Sequence, residues 1–553
     1  MDYFWDGFAI LAYFGLVIGV GLASARRSGL SMREFSVGGR QLPWWAVLAS
    51  IIAAELSAAT FLGAPGEGYH LRNFTYVQLA IGTVIARVIV AYLFLRPFYD
   101  NNVVSIYEFL EVRFGVATRN AASAVFLVTR LLASGTRLYV AAVIIVLGYE
   151  MVHGVAATDS EKVWIYGGAV LLVVILTTIY TAAGGIRAVV WTDVIQATVM
   201  GGALVYALIS LWFGVGGWSG AHGALTGPTD MTVFDSGIDH SKGILANVYD
   251  ILGSEYTIWA ALLGSVFTTM ATHGTDQDMV QRMLTAKDYH KSRLALILSG
   301  LIDIPVGLAF AFIGILIYVF YQHHPDPHLP TKNPEIFSYY ILHQLPPGAR
   351  GLLVAGVLAT AMGSLSTALN ALATSFTQDF WVPYLGRKGE TERQVVTAVR
   401  WSTVVFALLL AAVGTITAAV VVYSPHARII PIVLGIFGYT YGSLLGIFLL
   451  GLTTKTRGTE QGNLIGMLAG FVAVAIWSGL PWDVINAVRG QSYDISYNII
   501  YLAQHGLLKF SEGYVHPPDW LVQIEFPWRV MFGTLTTYAV AWCFKKNSSK
   551  TNK

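Results

Sequence analysis

Apolar runs of about the length of a membrane span recur along the whole chain, and short charged or Pro/Gly-rich breaks separate them. A helix needs about 20 apolar residues to cross a hydrocarbon core of about 30 Å. Hydrophobic residues make up 55% of the chain and charged residues only 12%, and the mean hydropathy is +0.60. This composition excludes an ordinary globular protein and predicts an all-α polytopic membrane protein.

Thirteen runs of this kind are predicted to be transmembrane helices. The first is preceded by acidic residues instead of a basic segment, so we interpret it as a retained helix. In chain order the runs are 7–25, 43–66, 75–98, 118–149, 163–182, 190–213, 256–276, 293–320, 350–378, 398–423, 428–451, 460–480 and 527–544.

Arginine and lysine are enriched in alternate loops, which is typical of cytoplasmic loops in membrane proteins. One set of loops, together with the C-terminal tail, holds most of these residues, whereas the long segments 214–255 and 481–526 hold few. The pattern predicts an external N-terminus, a cytoplasmic C-terminus and a multi-pass protein of the plasma membrane, with the lipid bilayer as its solvent. It leaves 1–553 as a single transmembrane domain.

Several functional classes find no support in the sequence. The 34 basic residues nearly balance the 32 acidic ones, so no nucleic-acid partner is expected. Cys543 is the only cysteine, and no Cys/His cluster has the spacing of a zinc site. Nucleotide-binding and hydrolase motifs are absent. We therefore expect no enzyme, no catalytic residues, no cofactor and no metal other than a transported ion.

Two spans combine polar residues with helix breakers. The second span and its exit, 42–70, carry Glu55 and Ser57 at mid-depth with glycines and a proline beyond them. Unwound backbone at membrane depth lines cavities in transporters, where freed carbonyls coordinate cations. The alternative explanation is a tight loop that caps the end of a helix. The seventh span repeats this pattern near His273, five spans later, as an inverted five-plus-five repeat predicts.

Other polar residues inside spans have both functional and structural explanations. The ninth span carries Ser364, Ser366, Thr367 and Asn370, whose oxygens suit Na⁺, but Ser and Thr also bond back to their own helix. Asp193 begins the sixth span, as an ion ligand or as a residue stabilised by the helix dipole.

Four further charged residues within the predicted spans need partners. Arg130 and Arg137 are seven residues apart on one helix face and could bind a substrate carboxylate, pair with Glu55 or Asp303, or reach the membrane surface. Arg87 and Asp303 could belong to a proton relay or could join helices, the plainer reading.

Several segments resemble one known family. GGIRAVVWTDVIQ (184–196) resembles the signature of the sodium/solute symporters, which include sodium–glucose, proline, sialic-acid, iodide and monocarboxylate cotransporters. SIYEFLEVRFG (105–115), GTDQDMVQRML (274–284) and LSTALNALATSFTQD (365–379) are similar to it as well, in the same order. The resemblance covers about residues 5–455.

The resemblance implies a LeuT-like fold and a set of ion ligands. Residues 43–213 and 256–451 would form two inverted five-helix repeats, with 7–25 as a leading helix and 460–544 as two additional helices. It implies a first sodium site at the carbonyls of Ala53, Leu56 and Thr360 and the hydroxyl of Ser364. Gly363 replaces a second hydroxyl. A possible second sodium site would use Asp193, Ser366 and Thr367.

Substrate-lining candidates are Glu55, Gln78, Arg137, Thr269, Thr272 and His273. The positions that bind sugar in glucose-type members are here Gln78, Thr269 and Thr272, which argues against a close sugar transporter. We expect sodium-coupled symport of a small organic solute, with a small monocarboxylate-like anion favoured over a sugar or polyol. Proton coupling, a solute sensor and a channel remain alternatives, and the oligomeric state is open.

Overall fold

Helices form almost all of the regular structure in the part of the chain that the computed structural model describes. That part comprises residues 3–26, 31–423, 435–489, 515–518 and 521–545. Two short π-helical segments, Ala260–Ser265 and Thr377–Leu385, supplement the α-helices. The α-helices are α1 Phe4–Ala25, α2 Met32–Val37, α3 Trp44–Glu55, α4 Ala58–Leu71, α5 Leu79–Leu93, α6 Leu95–Asp100, α7 Tyr107–Arg113, α8 Val116–His153, α9 Asp159–Gly214, α10 Gly217–Ala224, α11 Ile244–Leu252, α12 Val266–Gly274, α13 Gln277–Met283, α14 Tyr289–His323, α15 Asn333–Gln344, α16 Ala349–Phe376, α17 Glu392–Tyr423, α18 Ile436–Thr453, α19 Glu460–Trp477, α20 Leu480–Val488 and α21 Phe526–Trp542.

The structure confirms an all-helical membrane architecture but not the count of thirteen spans. Among the described residues, nine helices are long and apolar enough to cross a membrane, or ten when α3 and α4 count as one. Three features account for the difference. α9 joins two predicted spans, the seventh span is divided into short helices, and α21 has only 17 residues. Residues 428–434 of one predicted run lie outside the described part.

The second span is broken at mid-depth. α3 ends at Glu55, α4 begins at Ala58, and the two helices meet at 62°. Leu56 leaves the helical region with φ −74° and ψ 78°, and Ser57 starts α4 by accepting a hydrogen bond from the Thr60 N–H at 3.4 Å. The break therefore precedes the glycine- and proline-rich segment, which is regular helix.

The seventh span is also interrupted, at Thr275 and Asp276 between α12 and α13. The Asp276 carboxylate accepts the Asp278 backbone N–H at 2.9 Å and thereby caps the start of α13. Two broken spans lie five predicted spans apart, as the sequence pattern requires. The inverted repeat itself stays a prediction.

A single glycine redirects the long helix α9. Gly185 has φ 57° and ψ −151°, a backbone conformation that side chains disfavour, and a Cβ there would lie 2.4 Å from the Phe35 carbonyl oxygen. The helix can therefore bend and pack tightly against α2 only with glycine at this position. α16 is the most buried of the candidate spans and packs against α8 and α9, so its polar residues lie at the centre of the molecule.

Candidate functional site

The break between α3 and α4 frees backbone oxygens at the centre of the bundle. Leu56 N–H still donates to Ile52, but Ser57 N–H donates to Glu55 at 2.8 Å and Thr60 N–H to Ser57. Within this described segment, no backbone N–H reaches the carbonyls of Ala53, Ala54 or Leu56. Carbonyl dipoles without an internal partner are ready ligands for a hard cation.

Ser364 on α16 faces these carbonyls. Its hydroxyl lies 3.4 Å from the Ala54 carbonyl oxygen, a long contact that leaves the hydroxyl oxygen available to another partner. The neighbouring Thr360 hydroxyl instead donates to the Val357 carbonyl at 2.6 Å, so only a backbone oxygen of Thr360 is a candidate ligand. Ser364 thus lies at the same break as two other predicted ligands of the first sodium site, Ala53 and Leu56. The fourth, Thr360, lies one turn before Ser364 on α16.

A narrow cavity opens beside the break and reaches α8. Its lining includes Ser57 and Ala58 at the start of α4, Ser364 on α16 and Arg137 on α8. It holds only about one water molecule in this conformation, so a solute would require the walls to move apart. We call it the Arg137 cavity.

The four most buried arginines, Arg87, Arg119, Arg130 and Arg282, each pair with a carboxylate, whereas Arg137 forms no ion pair among the described residues. Its guanidinium lies 4.9 Å from the ring centre of Phe437 and faces the cavity. Arg130, one of the residues for which Glu55 or Asp303 was a possible partner, instead pairs with Asp276 and lies 3.1 Å from Asp278. That part of the expectation was wrong, because α13 brings its aspartates directly beneath α8.

The ion pairs of Arg130 belong to a larger group of connected ion pairs. Arg282 lies 2.6 Å from Asp278 and 3.9 Å from Asp193, and it donates to the Ser50 carbonyl at 2.5 Å. Together with Arg130 and Asp276, this group contains two arginines and three aspartates, and Arg137 lines the same cavity as Arg130 and Asp278, so the buried charges balance when all are ionised.

Asp193 lies at one end of this group of ion pairs. It is fully buried, its Oδ2 accepts the Ser50 hydroxyl at 2.5 Å, and its Oδ1 has no hydrogen-bond partner among the described residues. Ser366 and Thr367 on α16 each donate to the carbonyl three residues earlier, at 3.0 Å. Their hydroxyl protons are thus used locally, which leaves their oxygen lone pairs available to an ion.

A second buried group of charges lies across α3 from the cavity. Glu55 pairs with Arg87, Arg87 lies 2.5 Å from Asp303, and His273 Nε2 lies 2.7 Å from Glu55 Oε1. This Arg87 cluster joins α3, α5, α12 and α14 close to both helix breaks. Arg87 and Asp303, whose roles the sequence left open, therefore connect helices.

The remaining substrate candidates do not line the Arg137 cavity. The Gln78 carboxamide donates to the Tyr256 carbonyl at 2.8 Å. The Thr269 hydroxyl lies 3.3 Å from that of Thr83, and the Thr272 hydroxyl lies 3.0 Å from His273 Nδ1. Of the six candidates, only Arg137 lines this cavity. Residue type alone does not show which face of a helix points toward a cavity, so the other five could not be assigned from the sequence.

Comparison with known proteins places the chain among cation-coupled transporters. The model of the family described as the sodium:solute symporter family matches residues 35–470. The sodium/sialic acid symporter of Aliivibrio fischeri is 28% identical over 474 residues, covering 85% of this chain and 86% of that protein.

Two human transporters and one solved structure are also similar to this chain. Human sodium-coupled monocarboxylate transporter 1 is 27% identical, covering 86% of this chain and 73% of that protein. The human sodium/iodide cotransporter is 28% identical, with 86% and 72% covered. A Na⁺-coupled sialic acid symporter, solved in a substrate-bound outward-open state, superposes with a TM-score of 0.76 at 21% identity, covering 99% of this chain and 100% of that one. It shares the fold.

Proposed function

Because the chain belongs to the sodium:solute symporter family, we propose that it couples Na⁺ entry to the uptake of a small monocarboxylate-like anion by alternating access. One observation carries the choice of substrate. The Arg137 guanidinium lines the Arg137 cavity and forms no ion pair with a carboxylate among the described residues. A carboxylate from the substrate completes its bidentate pairing.

The broken second span supports both ligands. α4 begins at Ala58, and its N-terminal residues line the Arg137 cavity, so the positive end of the helix dipole faces an anion there. The freed carbonyls that end α3 present negative partial charge to a cation beside the Ser364 hydroxyl. One break thus supplies partial charges of both signs, which places the two ions close enough to stabilise each other.

The cavity lining favours a small, partly apolar solute. Five of its residues are apolar, whereas only three carry hydroxyl groups and the charges of Arg130 and Asp278 are already paired. A sugar buried there would leave most of its hydroxyls without partners, which costs about 1–3 kcal/mol for each. The relatives named for monocarboxylates, sialic acid and iodide likewise handle anions.

In the proposed cycle, Na⁺ binds first to the carbonyls of Ala53, Leu56 and Thr360 and to the Ser364 hydroxyl. The bound charge stabilises the outward-open state and raises the affinity of the adjacent Arg137 cavity for an anion, and the substrate raises Na⁺ affinity by the same factor. A second ion would bind at Asp193, Ser366 and Thr367, where the Asp193 Oδ1 has no hydrogen-bond partner among the described residues. Movement of one group of helices against the rest then opens the site inward.

The test uses purified protein in proteoliposomes with an inward Na⁺ gradient. Labelled lactate or pyruvate should enter, labelled glucose should not, and choline in place of Na⁺ should abolish uptake. Arg137→Gln should lower monocarboxylate uptake at least about tenfold, and Arg137→Lys should retain part of it. Arg96→Gln is the matched control, since Arg96 is a surface residue with its side chain 73% exposed. Glucose uptake without monocarboxylate uptake, or normal uptake by Arg137→Gln, would refute the substrate assignment.

A further inference from the structure

Leu138 separates the Arg137 cavity from a second cavity inside the bundle. Leu138 lines the Arg137 cavity beside Arg137, and it also lines a space of about 200 Å³ between α8 and α9. Among the described residues that line the two spaces, Leu138 is the one that they share. We call the second space the α8–α9 cavity. The Leu138 side chain is therefore the partition between a solute site and an adjoining cavity.

The α8–α9 cavity is apolar. The described residues that line it are alanine, valine, leucine and isoleucine, among them Ala141 and Ala142 of α8 and Ala169 of α9. None of these side chains offers a hydrogen bond to water, and in this conformation the space is too narrow for a water molecule. Dry cavities lined by aliphatic side chains bind apolar molecules. A hydrocarbon chain is therefore the part of a solute that suits this cavity.

Leu138 is held in place by the helices behind it. Its side chain is only 5% exposed. On α17, a Cβ added at Gly414 would lie 3.3 Å from the Leu138 Cβ and 3.2 Å from a methyl carbon of Val170 on α9. α17 therefore packs directly against this turn of α8, and Leu138 has no room to withdraw toward it. Packing thus fixes the wall between the two cavities in this conformation.

We propose that Leu138 determines the length of solute that the site admits. A carboxylate paired with Arg137 leaves the rest of the solute beside the next residue of α8, along the apolar wall that Leu138 and Leu365 provide. A short tail ends at Leu138, whereas a longer tail needs the α8–α9 cavity, which Leu138 closes. The inference rests on the proposed function and specifies its substrates as short-chain monocarboxylates.

The test opens and refills the α8–α9 cavity in the full-length protein. Proteoliposomes with an inward Na⁺ gradient receive labelled pyruvate, butyrate, hexanoate or octanoate, and kcat/KM is measured for each after uptake in choline buffer is subtracted. For the wild type, kcat/KM should fall from butyrate to octanoate. Leu138→Ala joins the two cavities, so kcat/KM should instead rise about fourfold with each added methylene, the factor expected from burying one CH₂ group. Ala142 lies one turn after Leu138 on the same face of α8, so Leu138→Ala combined with Ala142→Leu should refill the space and restore the wild-type order.

Leu365→Ala is the matched control, because Leu365 lines the Arg137 cavity but not the α8–α9 cavity, and it should keep the wild-type order of chain lengths. The proposal is overturned if the wild type transports octanoate as efficiently as butyrate, or if Leu138→Ala transports pyruvate but keeps the wild-type order. It is also overturned if Leu365→Ala or the double variant shows the same gain as Leu138→Ala. Should Leu138→Ala not fold, Leu138→Val should shift the order in the same direction by a smaller factor, and an unchanged order would contradict the proposal. Failure of the proposed function is a different result, namely a wild type that shows no Na⁺-driven uptake of any of these acids.

Discussion

Ser364→Ala separates the sodium site from the stability of the fold. The Ser364 hydroxyl makes a single long contact of 3.4 Å to the Ala54 carbonyl, so its removal should cost the folded protein little. Loss of one oxygen ligand from a buried cation costs about 1.5–3 kcal/mol by comparison with hydrogen bonds to charged groups, or about a ten- to hundredfold change in affinity. We therefore expect the Na⁺ concentration for half-maximal uptake to rise by this factor.

The assay is Na⁺-dependent uptake of labelled monocarboxylate by proteoliposomes, with substrate affinity measured again at saturating Na⁺. Substrate affinity at saturating Na⁺ should change less than the sodium requirement. Thr360→Val is the matched control, because the Thr360 hydroxyl donates within its own helix and only its carbonyl is a candidate ligand. The reasoning is refuted if Ser364→Ala has the wild-type sodium requirement, or if Thr360→Val raises it equally.

Three further variants test the second ion site, the Arg87 cluster and the bend of α9. Asp193→Asn should lower the Hill coefficient for Na⁺ in uptake, and an unchanged coefficient would remove Asp193 from ion binding. Glu55→Gln should lower the melting temperature by several degrees because it leaves the buried Arg87 cluster with one carboxylate fewer, and an unaltered melting temperature would contradict a joining role. Gly185→Ala should reduce the yield of monodisperse protein on size-exclusion chromatography, whereas Gly201→Ala, with nothing within 4 Å of the added carbon, should not; equal yields would contradict the strain argument.

The helices and the broken span were predictable because membrane solvation imposes simple rules on sequence. Long apolar runs must form helices in lipid, and polar residues with helix breakers at mid-depth mark an interruption. The location of the break was less predictable. Gly63 and Pro65 lie within regular helix, and the chain departs from helix at Leu56 and Ser57, beside the carbonyls that the family resemblance implied. Tertiary contacts decide which of several weak positions is used.

Pairing among buried charges could not be predicted from spacing. Arg130 and Arg137 share a helix face, but only Arg130 meets carboxylates, because α13 ends the interrupted span beneath that turn of α8. Which buried charges pair depends on contacts between helices that are distant in the sequence, and a single sequence does not reveal these contacts.

Paired flux measurement tests the central claim most directly. Proteoliposomes containing the purified protein are given labelled Na⁺ and labelled pyruvate together, under a Na⁺ gradient alone or a proton gradient alone. We expect the Na⁺ gradient to drive pyruvate inward, added pyruvate to accelerate Na⁺ entry in a fixed ratio, and Arg137→Gln to abolish both. Pyruvate uptake of equal size in sodium-free buffer, driven by the proton gradient and accompanied by no Na⁺ flux, would contradict it.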